Sequence, residues 1–174
     1  MSRNALFAFA SLAILVYAAE VLAQTDKTYQ DKSNGFSISL LSDWTAVTYS
    51  DAVGRRKTDF IYRDRSEGLL RISKDSLGSR SVAEMVRGEE DGVSSYRQAY
   101  ERGTQESFGG GALHGVLLTY NYVEGGRKMA ETDYFLQDGD QVWELRFTGK
   151  RGVLDLIRNV TDEMARSFHP LPRG

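Results

Sequence analysis

The chain contains no cysteine, and only two prolines and two histidines, in 174 residues. Without cysteine there is no disulfide, no thiol nucleophile and no thiolate metal ligand. A chain free of thiols suits an oxidising compartment. Two histidines without cysteine do not make a usual structural zinc site, and no H-E-x-x-H pair occurs. Neither charge sign dominates: 22 Lys and Arg stand against 24 Asp and Glu, interspersed, for a net charge of −2. Nucleic-acid binding calls for a concentrated basic face, and none is present. The one basic run, Arg55-Arg56-Lys57, meets Asp59 at once and reads as a solvated loop. No long apolar run follows residue 23, so no integral membrane span is expected after that point.

The first residues carry a different signal. Arg3 precedes an apolar run from Ala5 to Ala19, broken only by Ser11. Val21-Leu22-Ala23 then gives way to the polar Gln24-Thr25-Asp26-Lys27. This is the three-part pattern of a secretory signal peptide, read here as residues 1–23, with cleavage after Ala19 as an alternative. The run is about 15 residues, short of the roughly 20 that span a bilayer. An uncleaved anchor and a buried N-terminal helix are the competing readings. With no cysteine after the small residues, a lipid anchor is not expected. Residues 24–174 are read as one extracytoplasmic domain, periplasmic or secreted, long enough to bury a core unaided.

Along this segment, Asn34-Gly35 reads as a type I′ hairpin turn, because both positions of that turn want positive φ. Phe36, Ile38 and Leu40 alternate with Ser37 and Ser39 as a half-buried strand. Ser42-Asp43 turns the chain into a strand at Trp44–Tyr49, and Thr58–Arg63 and Leu69–Lys74 are two more. Ser81 and Glu84 form a capping box. Behind it Val82, Met85, Val86, Val93, Tyr96 and Tyr100 share one helical face, so a helix is expected over Ser81–Gly103. Gly88 and Gly92 each cost about 1 kcal/mol against alanine, so a break is expected near Glu89-Glu90-Asp91. His114, Val116, Leu118, Tyr120 and Tyr122 line one face of a long strand. Hairpins at Glu124–Arg127 and Asp138–Asp140 lead to strands at Met129–Gln137 and around Trp143, Leu145 and Phe147. Val153, Leu154, Ile157, Val160, Met164 and Phe168 form a last amphipathic helix that Pro170 stops. Consecutive hairpins imply an antiparallel sheet, and the two helices must bury their stripes on it.

The stretch Tyr29–Trp44, Y-Q-D-K-S-N-G-F-S-I-S-L-L-S-D-W, resembles the opening of Mog1/PsbP-like domains. Similarity continues at the end, in D-G-D-Q-V-W-E-L-R-F-T-G at 138–149 and M-A-R-S-F at 164–168. The proline usual before the D-W pair is replaced here by Leu41-Ser42. The resemblance implies an α+β fold, an α/β/α sandwich with a central antiparallel sheet flanked by helices. Members of that superfamily include a photosystem II extrinsic subunit and a nuclear transport cofactor. What they share is docking onto a larger partner, so the resemblance implies a protein partner rather than a reaction. A fold does not by itself fix a function.

Chemistry-bearing motifs are few. There is no G-x-S-x-G elbow and no S-x-x-K. Gly109-Gly110-Gly111 lacks the lysine of a P-loop and reads as a turn or bulge. His114 reads as a core or edge histidine, and His169 as a cation at a helix C-terminus. Glu131 and Asp133 lie at i and i+2 on one strand, and with Glu144 and Arg146 they form a polar sheet face. Paired carboxylates suit glycoside hydrolysis if they face each other about 5–10 Å apart. The plainer reading is a solvated face with cross-strand ion pairs. Asp138 and Asp140, or Asp31 near Asn34, offer oxygens for calcium but match no calcium loop, and turn chemistry accounts for both. Asn159-Val160-Thr161 matches a glycosylation sequon, read as coincidence within a helix. No cofactor and no metal are expected.

Three functions follow as expectations. The leading one is an exported, non-enzymatic accessory or binding module that docks onto a larger protein assembly. The second is a carrier of a small molecule or metal ion, with a pocket between the sheet and the first helix lined by Tyr96, Tyr100, Tyr120 and Tyr122. The third is an enzyme with an unfamiliar carboxylate site. The candidate surface or pocket residues are His114, Tyr120, Tyr122, Glu131 and Asp133.

Overall fold

A computed structural model describes residues 27–41, 43–109 and 111–172. The signal segment 1–23, Ser42 of the expected turn and Gly110 of the glycine run lie outside the described residues. The chain runs β1 (Lys27–Asp31), β2 (Phe36–Leu40), β3 (Trp44–Ser50), β4 (Arg56–Tyr62), β5 (Gly68–Ser76), α1 (Val82–Tyr96), β6 (Gln98–Phe108), β7 (His114–Glu124), β8 (Arg127–Asp138), β9 (Gln141–Lys150), α2 (Arg151–Leu156), α3 (Arg158–Arg166) and β10 (His169–Pro170). The fold is α+β with two antiparallel sheets. One is small, in the order β1-β2-β10, and one has seven strands in the order β3-β4-β5-β9-β8-β7-β6.

Side-chain alternation divides the large sheet into two faces. Phe60, Leu70, Leu117, Tyr134, Leu136, Trp143, Leu145 and Phe147 pack on one side. There they meet Phe36, Ile38 and Leu40 of the small sheet and Leu154, Ile157, Met164 and Phe168 of the C-terminal helices. On the other side Leu118, Tyr120, Tyr122, Met129, Phe135 and Val142 meet Val86 and Val93 of α1.

Several local expectations are corrected. The first hairpin is a four-residue loop, Lys32–Gly35, and not a two-residue type I′ turn. Gly35 takes positive φ (74°) and its N–H reaches the Asp31 carbonyl at 2.8 Å. Asn34 instead donates its backbone and side-chain N–H groups to the Asp31 carboxylate at 2.9 and 2.8 Å. A two-residue turn with positive φ at both positions is found instead at Gly125-Gly126, where φ is 56° and 75° and the β7–β8 ladder closes at Glu124↔Arg127.

Ser81 caps α1, with Glu84 completing the capping box. The helix does not break at Glu89–Asp91. Val86 and Val93, seven residues apart, are both buried, and Glu90 between them is buried as an ion-pair partner of Arg102 at 2.7 Å. This packing offsets the cost of two glycines. The helix stops at Tyr96 because Arg97 is extended, and the segment expected to continue it is strand β6. Tyr100 is therefore a strand residue, and Tyr96 is 65% exposed rather than part of a buried stripe. β6 escaped detection because it is exposed along most of its length and two irregularities interrupt its pairing.

The last helix is two short ones. Ile157, at φ −99° and ψ 15°, interrupts the dihedrals while keeping its side chain in the core. Helix α3 ends at Arg166, with Ser167 as its cap, before Pro170 is reached. His169 is exposed in β10 opposite Ser37, so it is not a helix-terminal cation.

Candidate functional site

Cross-strand register assembles one polar cluster on the α1 side of the large sheet. Tyr120 stands opposite Glu131, and Glu131 opposite Thr148. Next to that row Asp133 stands opposite Arg146, and then Phe135 opposite Glu144. Strand alternation turns all of these side chains toward α1. The helix adds Glu89, and the residue that ends it contributes Arg97.

Glu131 is 1% exposed and Asp133 is 0% exposed, so the expected solvated face is in fact buried. Each Glu131 oxygen is engaged. Tyr120 donates its hydroxyl to Oε1, and Arg146 Nε faces the same oxygen at 3.2 Å as an ion pair. Arg97 Nη2 donates to Oε2 at 3.3 Å, with Thr148 Oγ1 at 3.4 Å. Arg146 also donates to Glu89 Oε1 at 2.5 Å and pairs with Glu144, whose other oxygen accepts from Ser73 at 3.1 Å. Arg97 reaches Glu124 at 3.2 Å and lies 4.1 Å above the Tyr122 ring, a cation–π contact.

Asp133 differs from the rest. Arg146 Nε lies 3.5 Å from Oδ1, yet neither carboxyl oxygen has a hydrogen bond. Burial, reinforced by the Glu131 charge, pushes its pKa well above the usual carboxylate range against the opposing pull of Arg146. Asp133 is thereby biased toward its protonated form. Burial also raises Glu144, in spite of Arg146. Burial alone would lower Arg146, but Asp133, Glu144, Glu131 and Glu89 around it more than reverse that, and it stays charged. Tyr120 and Tyr122 are both pushed up, chiefly by burial, and remain phenols.

Of the five residues singled out from the sequence, Tyr120, Glu131 and Asp133 come together, with Tyr122 adjoining through Arg97. His114 does not join them. It is exposed at the start of β7, opposite Gln137. Sequence reasoning missed Glu89 and Arg97. The helical spacing places Glu89 at the expected break and Arg97 within the expected helix, away from the strand acids. The only available signal was the charge pattern itself, a helix glutamate and a following arginine beside a strand rich in paired acids.

The arrangement can store a proton and clamp α1 to the sheet. Access is restricted. A cavity of about 340 Å³ opens beside α1 among Asp75, Arg80, Met85, Glu89, Val142 and Glu144, so it touches only the outer carboxylates. A niche of about 90 Å³ among Thr119, Ala130, Leu154, Asp155 and Arg158 lies on the opposite face of the sheet, toward the C-terminal helices, away from the carboxylates of the cluster. Among the described residues no group of three or more His, Asp or Glu side chains is arranged to hold a metal ion. Asp31 and Asp138, considered for calcium, are engaged by Asn34 and by the Trp143 indole N–H at 3.4 Å.

No family profile matches the sequence, and no curated protein matches it. Solved structures do match. The cyanobacterial PsbP protein CyanoP from Synechocystis sp. PCC 6803 superposes with a TM-score of 0.61 at 15% identity, over 90% of this chain and 98% of its own. LpqN of Mycobacterium tuberculosis, involved in cell envelope biogenesis, gives 0.59 at 10% identity, over 84% and 91%. A Pseudomonas aeruginosa protein of unknown function gives 0.55 at 14% identity, over 85% and 99%. The fold is Mog1/PsbP-like.

Proposed function

We propose that this chain is an exported, non-enzymatic accessory module that docks onto a larger protein assembly outside the cytoplasm. The observation that carries the reading is the sealed state of the cluster. The residues best suited to acid–base chemistry, Glu131 and Asp133, are buried under α1, and both Glu131 oxygens are taken up by internal contacts that hold the fold. The likeness to a PsbP protein and to an envelope protein supports a location outside the cytoplasm, as does the leader pattern at residues 1–23. No helix among the described residues is long and apolar enough to cross a membrane. The same reading takes residues 24–174 as a single domain. Its α/β/α sandwich layers α1, the seven-stranded sheet, and α2–α3 with the small sheet. Size-exclusion of gently solubilised envelope is the test. The chain is expected to elute with an assembly many times its own size, and elution as the free chain would count against docking.

A second reading, a small-molecule or metal-ion carrier, is favoured by the cavity of about 340 Å³ beside α1. Its lining is acidic and polar rather than tyrosine-rich, so small cations are the class to try first. A ligand at 100 times its Kd stabilises by about 2.7 kcal/mol, which raises the Tm of a domain this size by roughly 5–10 °C. A thermal-shift panel of cations and sugars that moves Tm by less than about 1 °C would remove this reading.

A further inference from the structure

β4 and β5 part company early. Their ladder holds only at Phe60↔Leu70, Ile61↔Leu69 and Tyr62↔Gly68. Yet β4 stays paired with β3 out to Ser50↔Arg56, and β5 with β9 out to Ser76↔Gln141. Arg56–Asp59 and Arg71–Ser76 thus each keep one paired edge and present the other to a fork in the sheet. A free strand edge is a row of unpaired N–H and C=O groups, ready to bind another strand. Asp59 pins the fork where it begins. Its buried carboxylate accepts from Arg65 at 2.6 Å and from Arg71 at 3.4 Å.

The fork opens into two cavities, of about 350 and 310 Å³, that share Ser33, Asn34, Lys74 and Trp143. Half-buried Ile72 lines the first above the buried Phe36 and Trp143, and the Lys74 ammonium sits 4.7 Å over the Trp143 ring. Lys57 lines one cavity, Lys32 the other, and Lys74 both. All three lysines are exposed, and among the described residues none of them enters an ion pair. Arg55, Arg63, Arg65 and Arg71 nearby are all paired with aspartates. Three unpaired lysines against one lining carboxylate, Asp138, leave the fork with an excess of positive charge.

We propose that the β4–β5 fork is a docking groove for an extended, acidic segment of a partner polypeptide. The segment adds as a strand to a free edge, sets carboxylates against Lys32, Lys57 and Lys74, and lays an apolar side chain on Ile72. Charge of this kind sets partner choice and association rate. An anionic lipid headgroup would satisfy the lysines but would leave the strand edges unused, so the polypeptide is the better fit. The inference rests on the docking reading above and names the surface that performs it.

Fluorescence anisotropy of a labelled peptide of alternating Glu and Val, titrated with the full chain, tests it. The expected result is saturable binding that weakens with added salt and is absent for the matching Lys–Val peptide. The variant K32E/K57E/K74E should bind at least about tenfold more weakly, as loss and reversal of three exposed charges requires, with an unchanged Tm because all three side chains are exposed. Retained peptide affinity in the variant would overturn the proposal. So would lysine-dependent binding to vesicles of phosphatidylglycerol and phosphatidylcholine with no binding of the peptide, an outcome that assigns the surface to membranes. Crosslinking of both proteins in the native envelope separates this inference from the reading beneath it. If both capture one partner equally, the groove is wrong and docking stands. If the peptide binds but neither protein captures a partner, the groove stands and docking onto an assembly fails.

Discussion

Asp133 is the residue on which the electrostatics turn. Its folded pKa is raised, so the unfolded chain releases the proton above about pH 3.8 while the fold retains it. Unfolding is thereby favoured progressively as pH rises from that value through the folded pKa, and below it the penalty vanishes. Asp133→Asn keeps the shape and removes the titration. The variant should be more stable than the parent at pH 7 and equal to it near pH 3.5. Urea melts at the two pH values check this, and an equal loss at both would contradict it. Arg146 makes the opposite case. Removing it as Arg146→Met leaves Glu131, Glu89 and Glu144 without their shared cation. The expected loss is about 2–3 kcal/mol, less than for a fully buried pair because Arg146 is 30% exposed. A loss below about 0.5 kcal/mol would show that the carboxylates find other partners. The strand members of this cluster, Glu131, Asp133, Glu144 and Arg146, were legible in the sequence from strand alternation alone. Their burial was not, because it depends on α1 lying over a face that reads as polar.

Elements were read best where a pattern repeated. β2, β7 and β9 alternate apolar and polar residues, and their spans fall close to those expected. The Ser81–Glu84 capping box marked the start of α1. Its end was lost because Tyr96 and Tyr100 continue the helical spacing by chance, and β6 offers no alternation to compete. β6 also contains Ala99 at φ 50°, a conformation that costs an L-residue, between the pairings Gln98↔Val123 and Glu101↔Asn121 where the register shifts. Ala99→Gly should therefore stabilise the protein by about 0.5–1 kcal/mol, the reverse of the usual effect of glycine in a strand. A thermal melt that shows destabilisation would mean that the left-handed backbone at this position carries no strain. In the C-terminal segment the apolar spacing was read correctly as core. The break at Ile157 leaves its side chain buried and so left no mark in that spacing.

At the scale of the whole molecule, two hydrophobic clusters on opposite faces of one large sheet set the architecture, and each helix covers one of them. That much followed from the order of strands and amphipathic segments, because helices with an apolar stripe must bury it on the sheet. The fork between β4 and β5 did not follow from it. The point at which β4 and β5 cease to pair, beyond Phe60↔Leu70, leaves no local signature in the sequence. The proposed role is the binding of a protein partner, with buried Glu131 serving the fold. In-cell crosslinking of the tagged full chain in its native envelope, followed by mass spectrometry, tests that claim most directly. The account predicts one reproducible protein partner in stoichiometric yield. Recovery of the chain alone under conditions that preserve other envelope complexes would contradict it.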